Sequence, residues 1–157
     1  NASHIMFYKG KDTYGFHQSV QLIHDIKKKY PVVGLMMAIA SINNKSYFNE
    51  LLEKMRSLEI AEHVYVLQNQ KELWPLFQKV DVFIRPTLSD GASISVEEAL
   101  YFQVPVVASN VVSRPDHVVL FESKERKDFE QKVDVVLKKK IYGSHPKRNH
   151  MHEKSTF

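Results

Sequence analysis

The chain has 157 residues, room for one domain with a sizeable core, and its 43% hydrophobic and 25% charged residues are those of an ordinary globular protein. The absence of cysteine excludes disulfides and thiolate zinc sites, and the longest apolar run, around Leu35–Ala40, is too short to span a bilayer; no signal peptide is visible. Part of the net charge of +4 gathers from Lys138 to Arg148, without interleaved aromatic residues, so it reads as a solvated helix end and tail rather than a nucleic-acid surface.

Asn1–Ser3 read as a cloning remnant outside the fold, with residues 4–142 forming the domain and 143–157 a tail; the abrupt start suggests part of a longer chain. Ile5–Tyr8 is the first expected strand, followed by a loop with Gly10 and Gly15. From Phe16 to Tyr30, Phe16, Val20 and Ile23 recur at helical spacing, with lysines near the negative end of the dipole and Pro31 as the stop. Val32–Ala40 is uniformly apolar, as expected of a strand covered on both faces. Ser46 is the expected N-cap of a helix whose apolar face is Phe48, Leu51, Leu52, Met55 and Leu58. Val64–Leu67 is a strand, Gln70–Lys79 a short helix, and Val80–Ile84 the next strand. The loop Arg85–Gly91 leads into a helix over Ser93–Phe102. Val104–Ser109 and Val118–Phe121 are the last strands and Asp128–Ile141 the last helix. This alternation predicts an α/β fold, a doubly wound parallel sheet of about six strands with helices on both faces, Rossmann-like, whose strand C-terminal ends form one ligand-binding edge.

No G-x-G-x-x-G follows the first strand, and neither a G-x-x-x-x-G-K-[ST] loop nor a G-x-S-x-G elbow occurs. These absences argue against a nicotinamide dehydrogenase, a P-loop NTPase and an α/β-hydrolase. What remains is the loop after the fourth expected strand. Asp90-Gly91-Ala92-Ser93 is small and polar and opens directly into a helix, where free N–H groups and the positive dipole end suit a diphosphate. Glu98, further along that helix, is placed to accept hydrogen bonds from a ribose diol. The alternative is an ordinary strand–turn–helix with Asp90 or Ser93 as N-cap and solvated Glu97 and Glu98.

Asp90-x7-Glu98, then Ala99-Leu100 and Val104-Pro105-Val106-Val107-Ala108-Ser109, resembles the E-x7-E region and the following Pro-Val-Val-Ala-Ser run of family-4 retaining glycosyltransferases. Pro115-Asp116 falls where that family has Pro-Glu, and the likeness runs from Met6 to about Lys140. The resemblance implies one half of a GT-B enzyme, the donor-binding half, which carries a nucleotide sugar. It implies that Glu98 binds ribose, that Asp90 contacts the donor sugar, that Gly91 and the N–H groups of Ala92, Ser93 and Ile94 hold the diphosphate, and that Gln68 and Asn69 adjoin the nucleobase. Ser109–Asp116 would form the other wall.

Three departures stand out. The first acid is Asp90, one methylene shorter than Glu, and Val112-Ser113 replace a Gly-Gly pair. The family's diphosphate-holding Arg and Lys align with Lys9 and Tyr14, and Tyr14 carries no charge. Arg85 and Arg114 are the candidates to restore a cation, Arg114 foremost for the catalytic set of Asp90, Lys9 and Arg114; the alternative for Arg114 is a surface pair with Asp116.

The resemblance further implies retaining hexose transfer to a saccharide or lipid-linked acceptor, without a metal or other cofactor. An N-terminal acceptor-binding domain, a cytoplasmic site, peripheral contact of the longer enzyme with the inner membrane face, and a role in polysaccharide biosynthesis are expected with it. The isolated fragment is expected to be inactive. The rivals are half of a GT-B nucleotide-sugar 2-epimerase and a non-catalytic sugar-nucleotide-binding or docking module. His145, His150 and His152 fall in the tail, His17 and His24 on the first helix and His117 after a turn, none with metal-ligand spacing. Trp74, Leu76 and Phe77 read as core or lid packing.

Overall fold

The computed structural model describes residues 1–70 and 72–143. One three-stranded sheet comprises β1 (Ala2–Ser3), β4 (Leu35–Ile39) and β5 (Val64–Gln68), and a short hairpin, β2 (Phe7–Tyr8) with β3 (Lys11–Asp12), stands apart. A second three-stranded sheet comprises β6 (Phe83–Arg85), β7 (Val106–Ser109) and β8 (Val119–Phe121). The strand orders are β1-β4-β5 and β6-β7-β8, and every pairing within these two sheets is parallel. The two meet where Arg85 Nη1 donates to the Ala2 carbonyl at 2.8 Å, and where Ala2 and Ala38 share a core with Phe83, Val106 and Ala108.

Helices α1 (Phe16–Ile26), α2 (Lys45–Ser57) and α5 (Arg126–Gly143) cover one face; α3 (Trp74–Phe77) and α4 (Ile94–Tyr101) cover the other. Strand alternation separates the two cores. Ile84 and Val107 point to the first, and Phe83, Val106 and Ala108 to the second. Both faces of β4 are therefore apolar: Leu35, Met37 and Ile39 pack under α1 and α2, and Ala38 packs on the opposite side. This is the expected Rossmann-like, doubly wound α/β fold.

Several local expectations are corrected. Residues 1–3, set aside from the sequence, belong to the fold: Ala2 and Ser3 pair with Ala38 and Ile39. The first strand of the parallel sheet is thus Ala2–Ser3, and Phe7–Tyr8 instead pairs antiparallel with Lys11–Asp12. Lys9 and Gly10, both at positive φ (50° and 72°), form the two-residue turn that strand twist favours in a hairpin. Asn44, not Ser46, caps α2, its side chain accepting from Tyr47 N at 2.9 Å. The helix expected over Gln70–Lys79 contracts to Trp74–Phe77, because Pro75, without an N–H, fits only its first turn. Phe77 is buried and Trp74 is exposed.

No helix among the described residues is long and apolar enough to cross a membrane. The tail assignment from residue 144 onward, with His145, His150 and His152, lies outside the described residues.

Candidate functional site

The C-terminal ends of β6 and β7 deliver two loops to one point. Arg85 ends β6, Pro86–Ser93 follows, and Asn110–Asp116 follows β7. Asp90 lies between the two arginines. Its carboxylate accepts Arg85 Nε and Nη2 at 3.1 and 3.2 Å and Arg114 Nη2 at 2.9 Å, and also its own neighbour's N–H, Gly91 N, at 3.1 Å. The side chains of Arg85 and Asp90 are 7% exposed and that of Arg114 is 2% exposed. Burial by itself would raise the Asp90 carboxyl, but the hydrogen bonds and charges of Arg85 and Arg114 outweigh it and hold it below the ordinary carboxylate range. Two guanidinium charges against one carboxylate leave one net positive charge under the loop. Arg114 pairs with Asp90, not with Asp116, so the surface-pair alternative is overturned.

Thr87 and Ser109 brace the cluster. Ser109 Oγ donates to the Thr87 carbonyl at 2.7 Å, and Arg114 Nη2 lies 3.4 Å from Thr87 Oγ1. Both residues are completely buried. The buried Arg114 Nε has no partner among the described residues.

Tyr14 completes the cluster from the other sheet's side. The Arg85 guanidinium lies 4.7 Å from its ring centroid, a cation–π contact. The tyrosine standing where a lysine was expected therefore binds a cation rather than supplying one. Gly15 follows at φ 68°, and a Cβ there would come 2.1 Å from the Pro86 carbonyl oxygen, so only glycine fits. Leu88 N also donates to the Thr13 carbonyl at 2.7 Å, joining the loops before α1 and α4.

Beside this cluster α4 begins. Ser93, its N-cap, makes no side-chain capping bond; its hydroxyl meets Ser95 Oγ at 3.0 Å instead. The N–H groups of Ala92, Ser93 and Ile94 have no acceptor among the described residues, and Gly91, Ala92 and Ile94 are exposed. Glu98 is half-buried one turn along α4, and its side chain has no hydrogen-bond or ion-pair partner among the described residues. Gln68 and Asn69, at the end of β5, line a cavity of about 470 Å³ with Ile42, Phe48 and Asn49. Lys9 is not brought to the cluster: it is exposed at the hairpin turn, 5.3 Å from the Tyr8 ring. An apolar cavity of about 480 Å³, lined by Leu22, Ile26, Leu35, Phe83 and Leu137 among others, lies at the opposite edge, near the strand N-terminal ends. It shares no loop with the Asp90 cluster. No group of three or more His, Cys, Asp or Glu side chains arranged for a metal occurs among the described residues.

Sequence reasoning missed Asp12 and Thr87, and placed Ser109 in the wall without its bond to Thr87. Asp12 accepts the N–H groups of Tyr14 and Gly15, each at 3.1 Å, and of His17 at 3.0 Å, with the Tyr47 hydroxyl at 2.5 Å. Its signal was present: an Asp a few residues ahead of an apolar-periodic run is an N-terminal capping pattern.

The model of the family described as glycosyl transferases group 1 matches residues 4–156. No curated protein sequence matches the chain. Among solved structures, a glycosyltransferase from Rickettsia africae aligns with TM-score 0.74 at 16% identity over 88% of this chain and 36% of its own. The C-terminal domain of the group 1 family protein LpcC from Francisella tularensis aligns at 0.72 and 14% identity, over 87% and 73%. Anabaena HepE in complex with UDP aligns at 0.71 and 14%, over 88% and 39%. The chain thus spans little more than a third of the first and third of these.

Proposed function

Since this chain belongs to the group 1 glycosyltransferases, we propose that it is the donor-binding half of a retaining hexosyltransferase acting on a saccharide or lipid-linked acceptor. The observation that carries the reading is the open start of α4 beside a buried cluster with one net positive charge. Free N–H groups at a helix start bind phosphate oxygens, and a departing nucleoside diphosphate gathers negative charge there. Arg85 and Arg114 are too deeply buried to fork onto a phosphate directly, so they act through their field and by fixing the loop. The charge neutralisation is assigned to these groups rather than to a metal. Glu98 is assigned to the ribose hydroxyls, and Gln68 and Asn69 to the nucleobase.

Asp90 takes a different role from the one its place in the motif implies. With both oxygens engaged, it organises the arginines instead of touching the sugar. The acceptor is assigned to a second domain, with the longer enzyme in the cytoplasm at the membrane face. The fragment alone is accordingly proposed to bind donor without turning it over.

A thermal-shift panel of UDP, GDP, ADP and dTDP and their sugars, with Glu98→Ala as control, tests the assignment. Ligand at a hundred times its dissociation constant should stabilise by roughly 2.7 kcal/mol. A shift with one nucleotide that Glu98→Ala abolishes supports the reading. No shift with any of them favours a non-catalytic docking module, the second reading, which the absence of an exposed cation at Tyr14 and the internal pairing of both arginines would then explain.

A further inference from the structure

Helices that follow parallel strands in this kind of fold present their N-terminal amides to the ligand edge, and the first of them is a common phosphate cradle. In this chain that cradle is filled from within. Asp12 ends the hairpin strand β3, and its carboxylate lies over the start of α1. Oδ1 accepts Tyr14 N and Gly15 N; Oδ2 accepts His17 N and the Tyr47 hydroxyl of α2. One carboxylate thus takes three backbone donors and one side-chain donor, the set a bound phosphate would need.

We propose that Asp12 is a specificity-determining positioning residue, a resident anion that closes the α1 start to phosphate and leaves α4 as the diphosphate cradle. Three further observations support it. Tyr14, immediately after the capped turn, brings no charge to attract an anion and engages Arg85 instead. Gly15 is wedged against Pro86, so the loop has no room to swing open. Tyr47 is 6% exposed and ties the carboxylate to α2; burial first, then the neighbouring Asp12 charge, pushes its phenol far above the ordinary range, so it stays a donor. A ligand phosphate at this place would have to displace a carboxylate whose partners are all satisfied.

The proposal rests on the donor-site reading only for the class of ligand. Its test is an amide-resolved NMR titration of the ¹⁵N-labelled chain with inorganic pyrophosphate, for the wild type and for Asp12→Ser, whose hydroxyl still caps one N–H. In the wild type the amides of Gly15, Phe16 and His17 should not move. In Asp12→Ser they should respond, with pyrophosphate affinity raised about ten-fold by removal of the resident charge at the helix start. Movement of the α1 amides in the wild type, or none in folded Asp12→Ser, overturns the proposal. Asp12→Asn, close in shape to the native side chain, takes the same test if Asp12→Ser does not fold. If wild-type α4 amides stay still while the α1 amides of the variant respond, the closure of α1 by Asp12 stands, while α4 as the diphosphate cradle, and with it the donor-site reading, fails.

Discussion

Helices α1 and α4 both begin at the ligand edge of this molecule, and their amides meet opposite fates. At α1 an aspartate three residues ahead of the Gly15 cap satisfies the N–H groups, with a tyrosine from α2 on the same carboxylate. At α4 the N-cap serine turns its hydroxyl to Ser95, the amides stay open, and the acid that could have capped them, Asp90, is drawn down to two arginines. A helix start offers the same hydrogen-bonding chemistry everywhere. Where the nearest carboxylate is held decides whether that chemistry stabilises the fold or remains available to a ligand.

The largest expected effect is at Asp90. Asp90→Ala leaves two buried guanidinium groups without a counter-charge and should cost about 3–5 kcal/mol in urea unfolding. The same carboxylate gives the sign of the acid response. Its folded pKa is depressed, so its stabilisation is complete above the unfolded value of about 3.9 and is lost as pH falls through the lower folded value. Unfolding free energy measured from pH 7 downward should fall below about pH 4, less steeply in a folded Asp90→Asn variant. Constancy of the slope between the two proteins would remove Asp90 from this account.

Gly15→Ala comes next. It combines a left-handed φ with a backbone clash at Pro86, and a loss of about 2–3 kcal/mol is expected in the same assay. Asp12→Ala should follow at about 1–2 kcal/mol, the value of a helix cap, whereas Ser93→Ala should change stability little because Ser93 caps nothing. Equal losses at Asp12 and Ser93 would erase the contrast between the helices. Smallest is Arg126→Ala, which breaks the ion pair with Asp25 from a mostly exposed side chain and should cost less than about 1 kcal/mol.

Much of the fold was legible because apolar runs bounded by glycine, proline and turn residues mark strands buried on both faces. β4 to β8 fall within or next to the expected segments for this reason. The start was misread because Ile5–Tyr8 is apolar without being central: Ile5 is buried, but Phe7 and Tyr8 sit in an exposed hairpin. The residues assembled at Arg85, Asp90 and Arg114 were recognisable as candidates from their places at strand ends. Their mutual pairing was not, since it depends on two loops meeting 24 residues apart in sequence. Asp12 escaped because the search at the first loop was for cations, and this loop is organised around an anion.

The contact of Gly15 with Pro86 has a mechanical consequence. With no space for even one carbon atom between them, the entrance of α1 and the strand end that carries Arg85 form a seam without play. A displacement of either loop is handed to the other, so strain introduced at the hairpin or α1 should be felt at the arginine pair. The two sheets, which share no strand-to-strand ladder among the described residues, are coupled there as gears are, by meshing as well as by the Leu88–Thr13 backbone hydrogen bond.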